Sequence, residues 1–155
     1  MKPKYVYHGS GKKLIGDELI PKKANDLDKK RIHNSLNGIY ASSYKDEAIS
    51  MGLMSCKGVG PTSLHIQGIN GKIIIDSFIY KGWPKQKYFY LYTLPSTTFD
   101  IKPKGSYQWI SLKPVKPQKI EKLLVKKYIH LVRKATKKEK KDFESKLQKN
   151  KEEVK

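Results

Sequence analysis

Cysteine is almost missing from this chain. Cys56 stands alone among 155 residues, which excludes an internal disulfide and any cysteine-rich zinc site. Its ordinary place is as a small buried apolar side chain. The four histidines, His8, His33, His65 and His130, lack ligand spacing, and a metal centre needs several imidazoles or carboxylates in register, so no metal is expected. There is no Walker pattern, and Gly58 and Gly60 are too sparse for a phosphate-cradling loop. No apolar run reaches the length of a signal peptide or a membrane span. That points to a cytoplasmic protein, or to one delivered into another cell without a cleaved leader, and to no membrane partner.

Acids and arginines are scarce as well. Fourteen acids face 33 basic residues, for a net charge of +19. Between Ala48 and Ile120 the only acids are Asp76 and Asp100, against ten lysines. A ligand near this stretch meets a positive field, which suits a pyrophosphate, a nucleic acid or an acidic protein. Only Arg31 and Arg133 are arginines. A lysine ammonium is a point charge without the planar fork that grips phosphate through two oxygens. A lysine bias of this kind also follows from the base composition of the coding DNA, so charge alone does not name a partner.

The chain has enough length for one domain with one core and too little for two ordinary domains. Apolar residues make up 37% and charged residues 30%, a globular but polar balance. Residues 4–8 read as a strand ending at His8, broken by Gly9, Ser10 and Gly11. Gly16 to Pro21 reads as a turn, and the charged segment 26–31 as a solvent loop. Residues 38–42 read as a second strand. Ser42 or Ser43 then caps a helix over 45–53, with Asp46 and Glu47 in its first turn, where the helix dipole favours acids. Beyond residue 57 the pattern turns to strands around Leu64 and Ile66, over 72–79, 88–94 and 107–112. The run 118–135 fits strand to about residue 125 and helix beyond. Thr136 followed by Glu139 is a capping box opening a lysine-rich helix. Several short strands with few helices predict an α+β fold with a mainly antiparallel sheet: a domain over 1–135 and a C-terminal helix over 136–155.

Three short segments carry the chemistry. They are Tyr5-Val6-Tyr7-His8-Gly9-Ser10, Asn37-Gly38-Ile39-Tyr40-Ala41-Ser42-Ser43, and Tyr107-Gln108-Trp109-Ile110-Ser111. In order, spacing and flanks they resemble the three motif segments of the ADP-ribosyltransferase superfamily, over roughly residues 4–117. The resemblance implies a split antiparallel sheet of the ADP-ribosyltransferase type and NAD as a substrate. The implied activity is mono-ADP-ribosyl transfer with release of nicotinamide, or NAD glycohydrolysis where water is the acceptor. A toxin-like role fits the same class.

Splitting NAD passes through a cationic, oxocarbenium-like ribose. A site must hold the ribose hydroxyls, grip the leaving ring and steady the charge. A neutral His8 can bond a ribose hydroxyl. The backbone beside Gly9 and Ser10 can meet the carboxamide where no Cβ intrudes, as can the hydroxyls of Ser42 and Ser43. Tyr40 can stack on the pyridinium ring, with Tyr44 as a second face. Ser111 completes the candidate contacts, although a strand-face role suits it and Trp109 better.

The third motif departs from the family pattern, which places glutamate where this chain has Gln108. An amide can bond a hydroxyl, but it offers neither a full charge nor a base. Gln108 shares strand parity with Ile110 and Leu112, and a buried amide there needs a partner. Asp76, in an apolar run, is the candidate substitute acid. It also fits a likeness to small bacterial transferases that modify rifamycins. The candidate catalytic set is therefore His8, Tyr40, Gln108 and Asp76. The competing expectations are an inactive module holding NAD, ADP-ribose or nucleic acid, and a basic nucleic-acid-binding domain without an NAD site.

Overall fold

Alternation settles the first strand. Val6 and His8 fall on one side of Tyr5-Val6-Tyr7-His8-Gly9-Ser10, and Tyr7 and Gly9 on the other. The segment forms β1 (Tyr5–Ser10) in a computed structural model that describes residues 1–23 and 36–153. β1 lies inside a seven-stranded antiparallel sheet. The order is β7 (Phe99–Ile101), β8 (Gln108–Ser111), β3 (Asn37–Ser42), β1, β6 (Tyr88–Pro95) and β9 (Lys119–Leu124), with the short β2 (Lys22–Lys23) also paired to β3. A second sheet holds the hairpin β4 (Thr62–Ile69) and β5 (Lys72–Ile79), with β10 (Arg133–Lys134) parallel to β5. Asn70 and Gly71 join the hairpin at φ of 50° and 77°, the pair of positive angles that a two-residue turn requires. The expected α+β class with a mainly antiparallel sheet is what the chain adopts.

Helix α1 (Lys45–Met54) lies directly on β1. A Cβ on Gly9 would fall 1.9 Å from the Ala48 carbonyl oxygen, so only glycine lets the helix come this close. α1 carries a core made by Ala48, Ile49, Leu53 and Cys56 with Ile79, Phe89, Leu91, Val125 and Val132. Leu53 and Phe89 are fully enclosed, and each such side chain contributes about 1.5–3 kcal/mol. Cys56 has the buried place expected of it, and burial pushes its thiol up to about 11. A second core fills the opposite face of the sheet, from Val6, Ile39, Ala41, Tyr92, Leu94, Phe99 and Val115. There the buried Tyr92 hydroxyl accepts from the Leu14 amide at 2.8 Å and donates to the Lys12 carbonyl at 3.3 Å, tying down the chain after β1.

Several details differ from the sequence reading. Neither Ser42 nor Ser43 caps α1; Tyr44 holds the N-cap position without a side-chain bond. The helix expected beyond residue 125 stops after one turn, α2 (Val125–Tyr128). A 3₁₀ turn (Ile129–Leu131) and β10 follow. The chain has to straighten there because Arg133 and Lys134 pair with Phe78 and Ile79. The capping box forms as read: Thr136 Oγ1 accepts from the Glu139 amide at 3.1 Å, and Glu139 Oε1 accepts from the Thr136 amide at 2.8 Å. It opens α3 (Lys137–Glu153), whose Phe143 stacks on Tyr80, the residue after β5, at 4.2 Å. The segment 26–31, read as a solvent loop, lies outside the described residues, as do Arg31 and His33. No described helix is long and apolar enough to cross a membrane.

Candidate functional site

β1 and β3 are neighbours that part company. Among the described residues their one register pair is Tyr7 with Ser42, whereas β1 pairs with β6 along its whole length and β3 with β8 from Ile39 to Ser42. Past Tyr7 the two strands diverge, and the His8 ring bridges them. His8 Nδ1 lies 2.7 Å from the Tyr40 carbonyl oxygen. A carbonyl only accepts, so Nδ1 carries the proton and Nε2 presents a lone pair. Burial pushes the imidazole below its ordinary pKa, with a smaller push from Lys22, while the Tyr40 carbonyl pulls the other way. The ring at this divergence is therefore a neutral acceptor.

The remaining motif residues divide between the two faces. His8 pairs in register with Tyr92, on the side of the second core. Tyr40, Ser42 and Gln108 fall on the α1 side: Gln108 Nε2 rests 3.4 Å from Met51 Sδ, and Ser42 bonds Glu47. His8 thus meets the backbone of Tyr40, not its ring. The Tyr40 phenol donates to the Leu36 carbonyl at 2.8 Å. Gly9 faces Ala48, so its missing Cβ is explained by helix packing rather than by room for a ligand. Ser10 Oγ accepts from the Lys12 amide at 3.1 Å.

Three candidates are occupied elsewhere. Ser111 is fully buried, with Oγ 2.7 Å from Thr98 Oγ1 and 2.9 Å from the Lys113 carbonyl, a strand-end brace. Ser43 is bonded through its amide and hydroxyl to the Tyr107 carbonyl. Tyr44 turns away from the divergence, edge-on to Tyr107 at 5.0 Å. It helps line an open recess of about 200 Å³ with Lys45, Asp46, Ile73 and Ile75, below the ~300 Å³ at which small-molecule sites begin.

Asp76 lies on β5 in the other sheet. Arg133 grips both its oxygens at 2.9 Å and reaches Glu139 at 2.7 and 2.8 Å, with the guanidinium 4.4 Å above the Phe78 ring. Asp76 therefore belongs to a clamp between β5, β10 and α3, not to the β1–β3 divergence. One acid near the motif residues escaped notice in the sequence. Glu47, in the first turn of α1, is 1% exposed and receives the Ser42 hydroxyl. Its Oε1 has no hydrogen-bond partner among the described residues. Burial pushes its carboxyl up; the Ser42 bond only partly offsets this. In the sequence it looked like an ordinary first-turn acid. No spacing in the sequence set it apart from Asp46 beside it. Among the described residues no group of histidines, cysteines and acids is placed to hold a metal ion.

Comparisons with protein-family models, with curated proteins and with solved structures find no match to this chain.

Proposed function

We propose that the chain is an NAD-dependent mono-ADP-ribosyltransferase whose nicotinamide-proximal ribose sits where β1 and β3 diverge, in a split sheet of the ADP-ribosyltransferase type. The observation that supports this most is the His8 imidazole. It is neutral, fixed as the Nδ1–H tautomer by the Tyr40 carbonyl, and has Nε2 ready to accept from a ribose hydroxyl. In the proposed step the bond between ribose C1′ and the nicotinamide nitrogen breaks, and its electron pair leaves with nicotinamide. An acceptor nucleophile then bonds C1′ and releases its proton. Tyr40 and Gln108 lie on the opposite face of the sheet from His8, so neither is assigned a contact with the ribose that His8 holds. With Asp76 clamped by Arg133, no free carboxylate is assigned to the oxocarbenium ion, so the acceptor brings its own base. Water as acceptor makes the same site an NAD glycohydrolase.

A second reading has its own observation. Gln108 stands where a charge is wanted and spends its amide on a thioether, which favours a site that holds NAD or ADP-ribose without turning it over. One pair of measurements separates the two. Nicotinamide release from NAD, abolished in His8→Ala, supports transfer or hydrolysis. A thermal shift with NAD or ADP-ribose, lost in His8→Ala and unaccompanied by release, supports the binder. No shift with either ligand counts against both, because a ligand that binds the native state must stabilise it.

A further inference from the structure

The outer face of the β6–β9 edge carries the clearest feature outside the motif residues. Antiparallel pairing sets Tyr88 opposite Leu124, Tyr90 opposite Lys122 and Tyr92 opposite Ile120. All six project to the same side, the one that also carries His8, which pairs with Tyr92. Tyr92 is buried in the second core, while Tyr90 and Tyr88, towards the start of β6, are partly exposed. Ile120 and Leu124 are 52% and 41% exposed. Two ammonium groups rest on the Tyr88 ring: Lys122 Nζ at 4.1 Å from the centroid and Lys87 Nζ at 5.5 Å. The acid of β9, Glu121, is on the opposite face, where it holds Lys45 and Lys119. This strip therefore combines aromatic faces, exposed aliphatic carbon and lysine charge, with the strand's carboxylate turned away.

We infer that this strip is a docking surface for single-stranded nucleic acid. A base displaces a lysine from the face of Tyr88 and stacks there, Ile120 and Leu124 give apolar contact to its neighbours, and the freed ammonium meets the phosphate. Stacking on an aromatic ring tolerates any base, because every base has a π face. Lysine contacts to phosphate fix position without reading sequence. A duplex has no unstacked base to offer Tyr88. An anionic membrane or an acidic protein would use the charge but not the ring. The inference stands apart from the NAD reading, since neither requires the other; it does put the strand on the face that carries His8.

The test is fluorescence anisotropy with a labelled single-stranded oligothymidine of about 12 nucleotides, inside the ~4–16 nucleotides that a comparable domain covers. Tyr88→Leu keeps the apolar bulk and removes the ring. It is expected to weaken binding roughly ten-fold, as the loss of one stacked base does. Lys87→Gln with Lys122→Gln is expected to flatten the dependence of log K on log salt by about 1.4, near 0.7 for each phosphate contact on a single strand. Lys141→Gln with Lys149→Gln removes equal charge from α3 and should change affinity by less than two-fold at fixed salt. The inference is overturned if Tyr88→Leu binds as the parent does, or if the α3 pair costs as much as the strip pair. It is also overturned if duplex, polyglutamate or vesicles of anionic phospholipid bind as tightly and respond equally to Tyr88→Leu. Should Tyr88→Leu not fold, Tyr90→Leu and the salt slope of the lysine pair carry the same decision.

Discussion

Replacing Glu47 by glutamine should make the protein more stable, and only when the carboxyl would otherwise be charged. Glu47 is 1% exposed, has an oxygen without a partner among the described residues, and receives one hydroxyl from Ser42. Leaving a buried polar group unsatisfied costs about 1–3 kcal/mol, more when it is ionised. The favourable effect of a helix N-terminus on an acid is smaller, about 0.3–1 kcal/mol, so burial wins. Burial raises the folded-state pKa above its unfolded value, so the folded protein holds the proton more tightly. The contribution to stability is complete below the unfolded value and is lost as pH rises through the folded one. Glutamine has the same shape without the charge. At about pH 8 the variant should gain roughly 1–2 kcal/mol, or about 2–8 °C in Tm for a domain of this size. Near pH 4 the gain should vanish. Calorimetric melts of both proteins across that range are the assay. A Tm difference independent of pH, or a destabilised variant at pH 8, would refute the reasoning.

Other outcomes follow from the same coordinates. Gly9→Ala puts a methyl 1.9 Å from the Ala48 carbonyl; overpacking of this kind costs about 1–3 kcal/mol or more and should appear as a lower urea midpoint with faster amide exchange in α1. The Arg133 fork holds Glu139 down at about 2, helped by the Thr136 amide. That contribution is present above the unfolded carboxyl value and is lost as pH falls through about 2, so acid titration by far-UV circular dichroism should show α3 outlasting the ordinary carboxylate range, and Glu139→Gln should remove the delay. His8, pushed down by burial, contributes stability that is present above its unfolded pKa and lost as pH falls through the depressed one; its ring proton shifts should stay constant through the ordinary histidine range and report the Nδ1–H tautomer. Thr136→Ala should cost about 1 kcal/mol by removing the cap, read from the thermal midpoint.

The sheet elements were legible because their cause is local. Alternation of Leu64 and Ile66 marks β4, short apolar runs mark β1, β3, β5 and β6, and Thr136-to-Glu139 spacing marks the start of α3. Elements created by distant pairing left no such mark. β10 exists because Arg133 and Lys134 find Phe78 and Ile79, and β7 because Phe99 and Ile101 meet β8 with a bulge between them. α1 was legible in extent but not in orientation. Glu47, Ala48, Ile49 and Ser50 are buried in succession, because the helix is covered by β1 on one side and by Val125 and Val132 on the other. A helix enclosed in this way has no polar face to reveal, so the enclosure of Glu47 was hidden. The candidate site was legible in its first member alone. His8 was readable as a strand residue, but the strand does not end there: β1 runs on through Gly9 to Ser10, and the His8 tautomer depends on a carbonyl 32 residues away. The division of Tyr40 and Gln108 from His8 depends on pairing partners that strand parity does not name. Asp76 was misleading because its partner, Arg133, is 57 residues downstream.

The central place of α1 has a consequence for synthesis. Its inner surface is closed early by β1, but Val125 and Val132 close the other side, and a ribosome makes them long after α1 itself. A nascent chain therefore carries an unsealed apolar helix surface until residue 132 has been made, dependent on chaperones or on speed. A stop codon before Val132 should yield a product that is degraded rather than folded.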